Sequence, residues 1–243
     1  MHRGRAWARK KGKIRLSSLL QTLASLAAAG SLLVSGALDM AAPQNSDTSM
    51  LLLVNRDWGI SGDYAPAVRV SEVPGQVRKL REEAATALEA MFAAAKAEAR
   101  VTLVAVSGYR DYDKQERIYG NKLKSVRGDE EAADAYVARP GTSEHQTGLT
   151  MDIGQRSGKD TLEEGFGGTR GGQWCRENAW RFGFILRYDE GWEEVTGYSF
   201  EPWHFRYVGL EHARRIHENE MPLEEYLKLL RTGILLDLVS VDE

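Results

Sequence analysis

Two short segments carry side chains that alternate in character, and they restrict the fold more than any other feature of the chain. In "LTMDI", Leu149, Met151 and Ile153 alternate with Thr150 and Asp152. In "WHFRY", Trp203, Phe205 and Tyr207 alternate with His204 and Arg206. Successive side chains on a strand point to opposite faces. Each segment therefore reads as a half-buried strand, with an apolar face on the core and a polar face that carries Asp152 or His204.

The rest of the body supplies helices without a regular strand–helix alternation. Residues 75–99 are Ala-rich, with Val77, Leu80, Ala84, Leu88, Met91 and Phe92 at helical spacing, which predicts one long helix. "RVTLVAVSG" reads as a buried strand ended by Gly108. Asp111 can cap a helix reaching about Lys124, and Glu130 to Ala138 reads as a shorter one. Residues 154–170, rich in Gly and charge, read as a loop. "GGQWCRENAWRF" reads as a helix stopped by Gly183, "FILRY" as a strand, and "PLEEYLKLLRTG" as a helix ending at Gly233. The mixture is an α+β pattern.

The N-terminus reads as a targeting element. Residues 1–16 hold seven Lys or Arg and no acid, and residues 16–38 hold no charge at all. Positive, then apolar, then small (Ser35-Gly36-Ala37) is the order of a secretory signal. The uncharged run of 23 residues is also long enough to remain as a bilayer anchor. Either outcome puts the body outside the cytoplasm. No cysteine lies near the junction, which excludes a lipoprotein anchor. The expected organisation is 1–38 signal or anchor, 39–50 polar linker and 51–243 catalytic domain. Beyond residue 37 the chain holds 25 Lys or Arg against 35 Asp or Glu, a formal charge of −10, so nucleic acid is not an expected partner. Cys175 is the only cysteine, so no internal disulfide forms and the core must hold the domain. Its setting in "QWCRENAWRFG" reads as a small buried hydrophobe rather than a nucleophile.

Four residues on the two alternating segments and their flanks have zinc chemistry. In "PGTSEHQTGLTMDIG" the turn residues Pro140, Gly141, Thr147 and Gly148 argue for a turn that leads into a strand, which brings His145 within reach of Asp152. In "EPWHFRYVG", Glu201 and His204 would face opposite ways on a straight strand, but Pro202 favours a bend that swings Glu201 beside His204. A catalytic zinc takes three N or O ligands and keeps a position open. His145, Asp152 and His204 would be the three, with Glu201 free as a general base. Read singly, each histidine is better explained as a polar residue satisfied in a loop; taken together, the four residues favour the zinc centre. His212 and His217 fall among charges in "GLEHARRIHENEM" and read as solvated. In "SGYRDYDKQERIYG", Arg110 and Gln115 follow the end of a buried strand. There a guanidinium can bind a carboxylate or an oxyanion, or simply start a helix.

"SGYR" with Gln115, "SEHQTGLTMDIG" and "EPWHFRYVG", together with "GQWCRENAWRFGFILRY", resemble the VanY-like D-alanyl-D-alanine carboxypeptidases, zinc peptidases of bacterial cell-wall metabolism. The resemblance covers about residues 51–230. It implies a compact α+β fold of the hedgehog/DD-peptidase type, a small antiparallel sheet flanked by helices. It implies Zn2+ on His145, Asp152 and His204, and catalysis by Glu201. Arg110 is expected near the scissile carbonyl, with Gln115 and Ser143 on the substrate side. The implied substrate is the terminal D-alanine of peptidoglycan stem peptides, cleaved by a monomer that meets the membrane only through its N-terminal segment. L,D-cleavage of tetrapeptide stems, an endopeptidase and a non-catalytic cell-wall binding module are the alternatives.

Overall fold

The computed structural model describes residues 49–156 and 161–231. The expected signal or anchor and all but the last two residues of the linker lie outside the described residues, as does the expected helix stop at Gly233. By internal contacts residues 42–229 form one unit, which holds the sheet and the helices that cover it. Among the described residues no helix is long and apolar enough to cross a membrane.

The main elements are β1 (Arg69–Val70), β2 (Lys79–Leu80), α1 (Glu82–Ala99), β3 (Leu103–Ser107), α2 (Tyr112–Ser125), α3 (Glu130–Asp134), β4 (Thr150–Gln155), α4 (Arg170–Asn178), β5 (Phe184–Leu186), β6 (His204–Tyr207), α5 (Leu210–Glu218) and α6 (Leu223–Arg231), with a one-turn helix at Glu193–Thr196 between β5 and β6. Four strands form one antiparallel sheet in the order β3-β4-β6-β5, and β1 pairs with β2. This is the expected α+β architecture. Its register sets Asp152 opposite His204, Met151 opposite Phe205 and Thr150 opposite Arg206.

One face of the sheet is apolar, and the helices cover it. Leu103, Met151, Ile153, Phe184 and Phe205 share a core with Leu88, Met91 and Ala95 of α1 and Trp174 and Cys175 of α4. The buried positions of α1, Ala84, Ala85, Leu88, Met91, Phe92, Ala95 and Ala99, recur every three or four residues as one helical stripe. The opposite face was expected to be polar and half open. Instead Thr150, Asp152, His204 and Arg206 are all buried, because a charged cluster closes over them.

Three boundaries differ from the sequence reading. The long helix begins at Glu82, not near residue 75. Gly75 has φ 142°, and any β-carbon there would strike the carbonyl oxygen of Ala105. Residues 69–80 form the β1–β2 pair instead, and the Arg81 N–H bonds the Gly148 carbonyl at 2.8 Å. Helix α3 stops at Asp134, short of Ala138. The expected loop at 154–170 starts as the end of β4 and includes a 3-10 turn at Glu164–Gly168. The expected cap is present on α2, where the Asp111 carboxylate accepts from the Lys114 N–H at 2.7 Å. α4 passes into a 3-10 turn ended by Gly183 at φ 82°.

Cys175 is fully buried, and burial pushes its thiol pKa up. We expect a soluble aromatic disulfide to leave the native thiol unmodified at pH 8 and to titrate one thiol per chain in denaturant. Rapid native modification would contradict its place in the core.

Candidate metal centre

The turn after Pro140 delivers the first histidine. A 3-10 turn at Glu144–Thr147 ends at Gly148, whose φ of 69° suits glycine, and the chain then enters β4. His145 is held by its Nδ1, which lies 2.9 Å from the Gly108 carbonyl oxygen. Gly108 sits where a β-carbon would meet the Lys79 carbonyl at 2.5 Å, so only glycine lets the end of β3 come this close. The Gly108 carbonyl takes the Nδ1–H, and Nε2 of His145 faces Asp152 Oδ2 at 3.3 Å.

The second histidine comes from β6. Pro202 and Trp203 form a turn in which the His204 N–H bonds the Glu201 carbonyl at 3.0 Å. That turn brings Glu201 round to the same side as His204, as the bend at Pro202 suggested. Nδ1 of His204 stands 3.2 Å from Asp152 Oδ1 and 3.5 Å from Glu201 Oε2. The two imidazoles meet edge to face, 5.2 Å between centroids at 88°.

His145, Asp152 and His204 thus present one donor atom each within 4.8 Å of one another, all buried. Asp152 Oδ1 is buried without a hydrogen-bond partner. A carboxylate flanked by two imidazole nitrogens, with Oδ1 orphaned, is the donor set a zinc ion takes, and a cation would satisfy it. Burial opposes ionisation of Asp152, but His145 and His204 outweigh it and hold the carboxyl well below the usual range. For His204, burial works against the imidazolium, yet Asp152 and Glu144 lift the ring to about 9. Burial raises Glu201 to about 7, with the charge of Asp152 adding to it and His204 and Arg110 pulling the other way.

These residues line a cleft of about 880 Å³. Arg110, Gln115, Ser143 and Glu201 line it too, as do Tyr188 and Trp203. Arg110 Nε is buried with no partner, and burial lowers its pKa while Asp152 and Glu201 raise it. Gln115 is 1 % exposed; its Nε2 donates to the Ala138 carbonyl at 2.7 Å and its Oε1 has no partner. Ser143 is buried beside the turn that carries His145. His212 and His217 lie apart on α5. His217 is exposed and stacks on Trp180, but His212 is half-buried with Nδ1 2.6 Å from the Tyr226 hydroxyl, not solvated as expected.

Sequence reading assigned no role to Glu144 or Arg187. Glu144 is fully buried: Oε1 accepts from Arg187 Nε and Arg206 Nη1, both at 2.8 Å, and Oε2 lies 3.3 Å from His204 Nε2. Arg187 continues to Glu224 through Nη1 at 2.9 Å and Nη2 at 2.5 Å. Arg206 Nη2 donates to the carbonyls of Met50 and Leu52. The available signal was Arg206 itself: an arginine on the inward polar face of a sheet demands a buried carboxylate.

Breaking one partner out of a buried ion pair costs about 3–5 kcal/mol, far more than loss of an exposed pair. We expect Arg187→Met to lower unfolding free energy in urea by about that amount, and Arg214→Met, whose partners Glu211 and Glu218 are exposed, to change it little. Equal effects of the two substitutions would contradict the burial argument.

Comparison with known proteins identifies the family. A family described as "VanY: D-alanyl-D-alanine carboxypeptidase" matches residues 77–210. The putative carboxypeptidase YodJ of Bacillus subtilis (strain 168) is 46% identical over 190 residues, covering 75% of this chain and 68% of that protein. The D-alanyl-D-alanine carboxypeptidase of Enterococcus faecalis (strain ATCC 700802 / V583) is 38% identical over 73% of this chain, which spans 65% of it, just under two thirds. Among solved structures, the LD-carboxypeptidase LdcB superposes with a TM-score of 0.71 at 46% identity, over 76% of this chain and 88% of that one. A mutant of the vancomycin-resistance D,D-pentapeptidase VanY in complex with Zn(II) gives 0.62 at 36% identity, over 73% and 98%. Family match, relatives and solved structures converge on one conclusion: the chain belongs to the VanY family of D-alanyl-D-alanine carboxypeptidases.

Proposed function

We propose that the chain is a zinc-dependent carboxypeptidase that removes the terminal D-alanine from peptidoglycan stem peptides. One observation carries the reading. The cleft joins a three-donor set, His145, Asp152 and His204, to a further carboxylate, Glu201, that stands outside the set. A pure binding module has no use for that carboxylate.

His145 through Nε2, Asp152 and His204 through Nδ1 would hold the ion. A bound zinc is a Lewis acid that polarises a carbonyl and acidifies water. Glu201, lifted by burial to about 7, is placed to take a proton from the attacking water and pass it to the leaving amine. The Arg110 guanidinium, with a buried N–H lacking a partner, is a donor for the oxygen that gains negative charge. Gln115 has its amide N–H committed to Ala138, so its free Oε1 can only accept, and it suits a substrate N–H. Ser143 adds a hydroxyl to the same wall. The basic, then uncharged, N-terminus supports an extracytoplasmic site of action, where peptidoglycan is.

A second reading concerns the bond. The likeness to LdcB, an LD-carboxypeptidase, is greater in identity and TM-score than that to VanY. This favours cleavage of tetrapeptide stems, at an L,D bond, beside or in place of pentapeptides. Mass spectrometry of products from defined tetra- and pentapeptides decides between them. Release of D-alanine from neither would hand the reading to an endopeptidase or a binding module.

The zinc-loaded enzyme should bind about one zinc per chain, with lowered occupancy in His145→Ala, Asp152→Ala and His204→Ala. Unchanged occupancy in all three would remove the ligand assignment. Glu201→Ala should keep its zinc and fold, yet lose at least about 10²-fold in kcat with a smaller change in KM. Arg110→Ala should lose about 10²-fold as one oxyanion donor. Wild-type turnover in Glu201→Ala would overturn the base assignment.

A further inference from the structure

We infer that Glu144 is a positioning residue for the metal site: it accepts the Nε2–H of His204 and so commits Nδ1 of that ring to the cation. The inference rests on the zinc reading above and adds to it a residue that holds neither metal nor substrate.

An imidazole has two nitrogens, and only the unprotonated one can ligate. His204 has carboxylates on both sides. Glu144 Oε2 faces Nε2 at 3.3 Å, while Asp152 Oδ1 and Glu201 Oε2 face Nδ1 at 3.2 and 3.5 Å. The tautomer is therefore not set by the ring's burial alone. It is set by which carboxylate is a fixed acceptor. Asp152 Oδ1 has no hydrogen-bond partner and is open to a cation. Glu144 is fixed, because Arg187 Nε and Arg206 Nη1 both donate to its Oε1. That leaves Oε2 turned to His204, and it keeps Glu144 from becoming a ligand itself.

The arginines are themselves anchored. Glu224 of α6 grips Arg187 with both oxygens, and Asn55 Nδ2 donates to Glu224 at 3.1 Å. The Met50 and Leu52 carbonyls hold Arg206. The orientation of one ligand ring is thus fixed from residues 50–55 and from α6, neither of which contributes a metal donor. His145 has the matching device in the Gly108 carbonyl. Partners of this kind, on the far nitrogen of a ligating histidine, typically carry about 10–100-fold in metal affinity.

Glu144→Gln makes the idea testable. Two guanidiniums would draw the amide oxygen, which leaves the amide NH2 against Nε2 of His204. The ring would then carry its proton on Nδ1, facing the cation. Zinc affinity, measured by competition with a chromophoric chelator, should fall about 10–100-fold with the fold retained by circular dichroism. Glu144→Asp, which keeps the charge, should recover part of it. Long-range 1H–15N spectra of the zinc-loaded wild type should show His204 protonated on Nε2 and ligating through Nδ1, and His145 the reverse. These spectra decide the matter if Glu144→Gln fails to fold. Unchanged affinity in a folded Glu144→Gln, or wild-type His204 ligating through Nε2, would overturn the inference alone. A wild type that takes up no zinc would overturn the metal reading and this inference with it.

Discussion

Glu144 is the interaction on which the sheet's polar face depends. A carboxylate with no exposure, placed between Arg187 and Arg206, allows charged side chains to be buried where the strand pattern calls for a solvated face. Removing water from one such charge costs several kcal/mol unless hydrogen bonds and opposite charge replace it. Here the replacement is nearly complete: both carboxylate oxygens, the Arg187 fork and most of the Arg206 fork have partners. Three buried atoms without a hydrogen-bond partner, Asp152 Oδ1, Arg110 Nε and Gln115 Oε1, belong to residues that line the cleft, whereas Gln146 Oε1 lies outside it. Polar groups left open at a site where a ligand and a substrate would sit are what a preorganised active site requires.

The opposite face does the folding. Met151, Ile153 and Phe205 are driven into a core with α1 and α4, and the period-2 pattern then forces Asp152 and His204 out on the other side. A slip of one residue between β4 and β6 would place a histidine in the hydrophobic core and a phenylalanine among the charges. The register that makes the core is therefore the register that sets Asp152 opposite His204. Stability and site geometry share one constraint.

Much of this was legible in the sequence, because it rests on local alternation and turn chemistry. "LTMDI" and "WHFRY" form strands from Thr150 and His204 onward, Asp111 is a helix cap, and the turn at Pro202 brings Glu201 to His204. What was not legible depends on groups distant in the chain. Gly75 belongs to a bridge with Ala105, so the Ala-rich segment yields its first seven residues to a strand pair. Glu144 has no local mark, since its partners Arg187 and Arg206 lie 43 and 62 residues away. His212 lost its solvent to Tyr226 of the next helix, a packing event that charge pattern alone does not encode. The domain boundaries and the export role of the N-terminal segment are proposals.

We propose that His145, Asp152 and His204 form a metal centre beside a non-ligating Glu201. The most direct measurement is anomalous scattering at the zinc absorption edge from crystals of the zinc-loaded protein. One strong peak per chain is predicted, bounded by His145 Nε2, the Asp152 carboxylate and His204 Nδ1, with Glu201 outside bonding distance. A peak at another place, or one with Glu201 bonded to the ion, would contradict it.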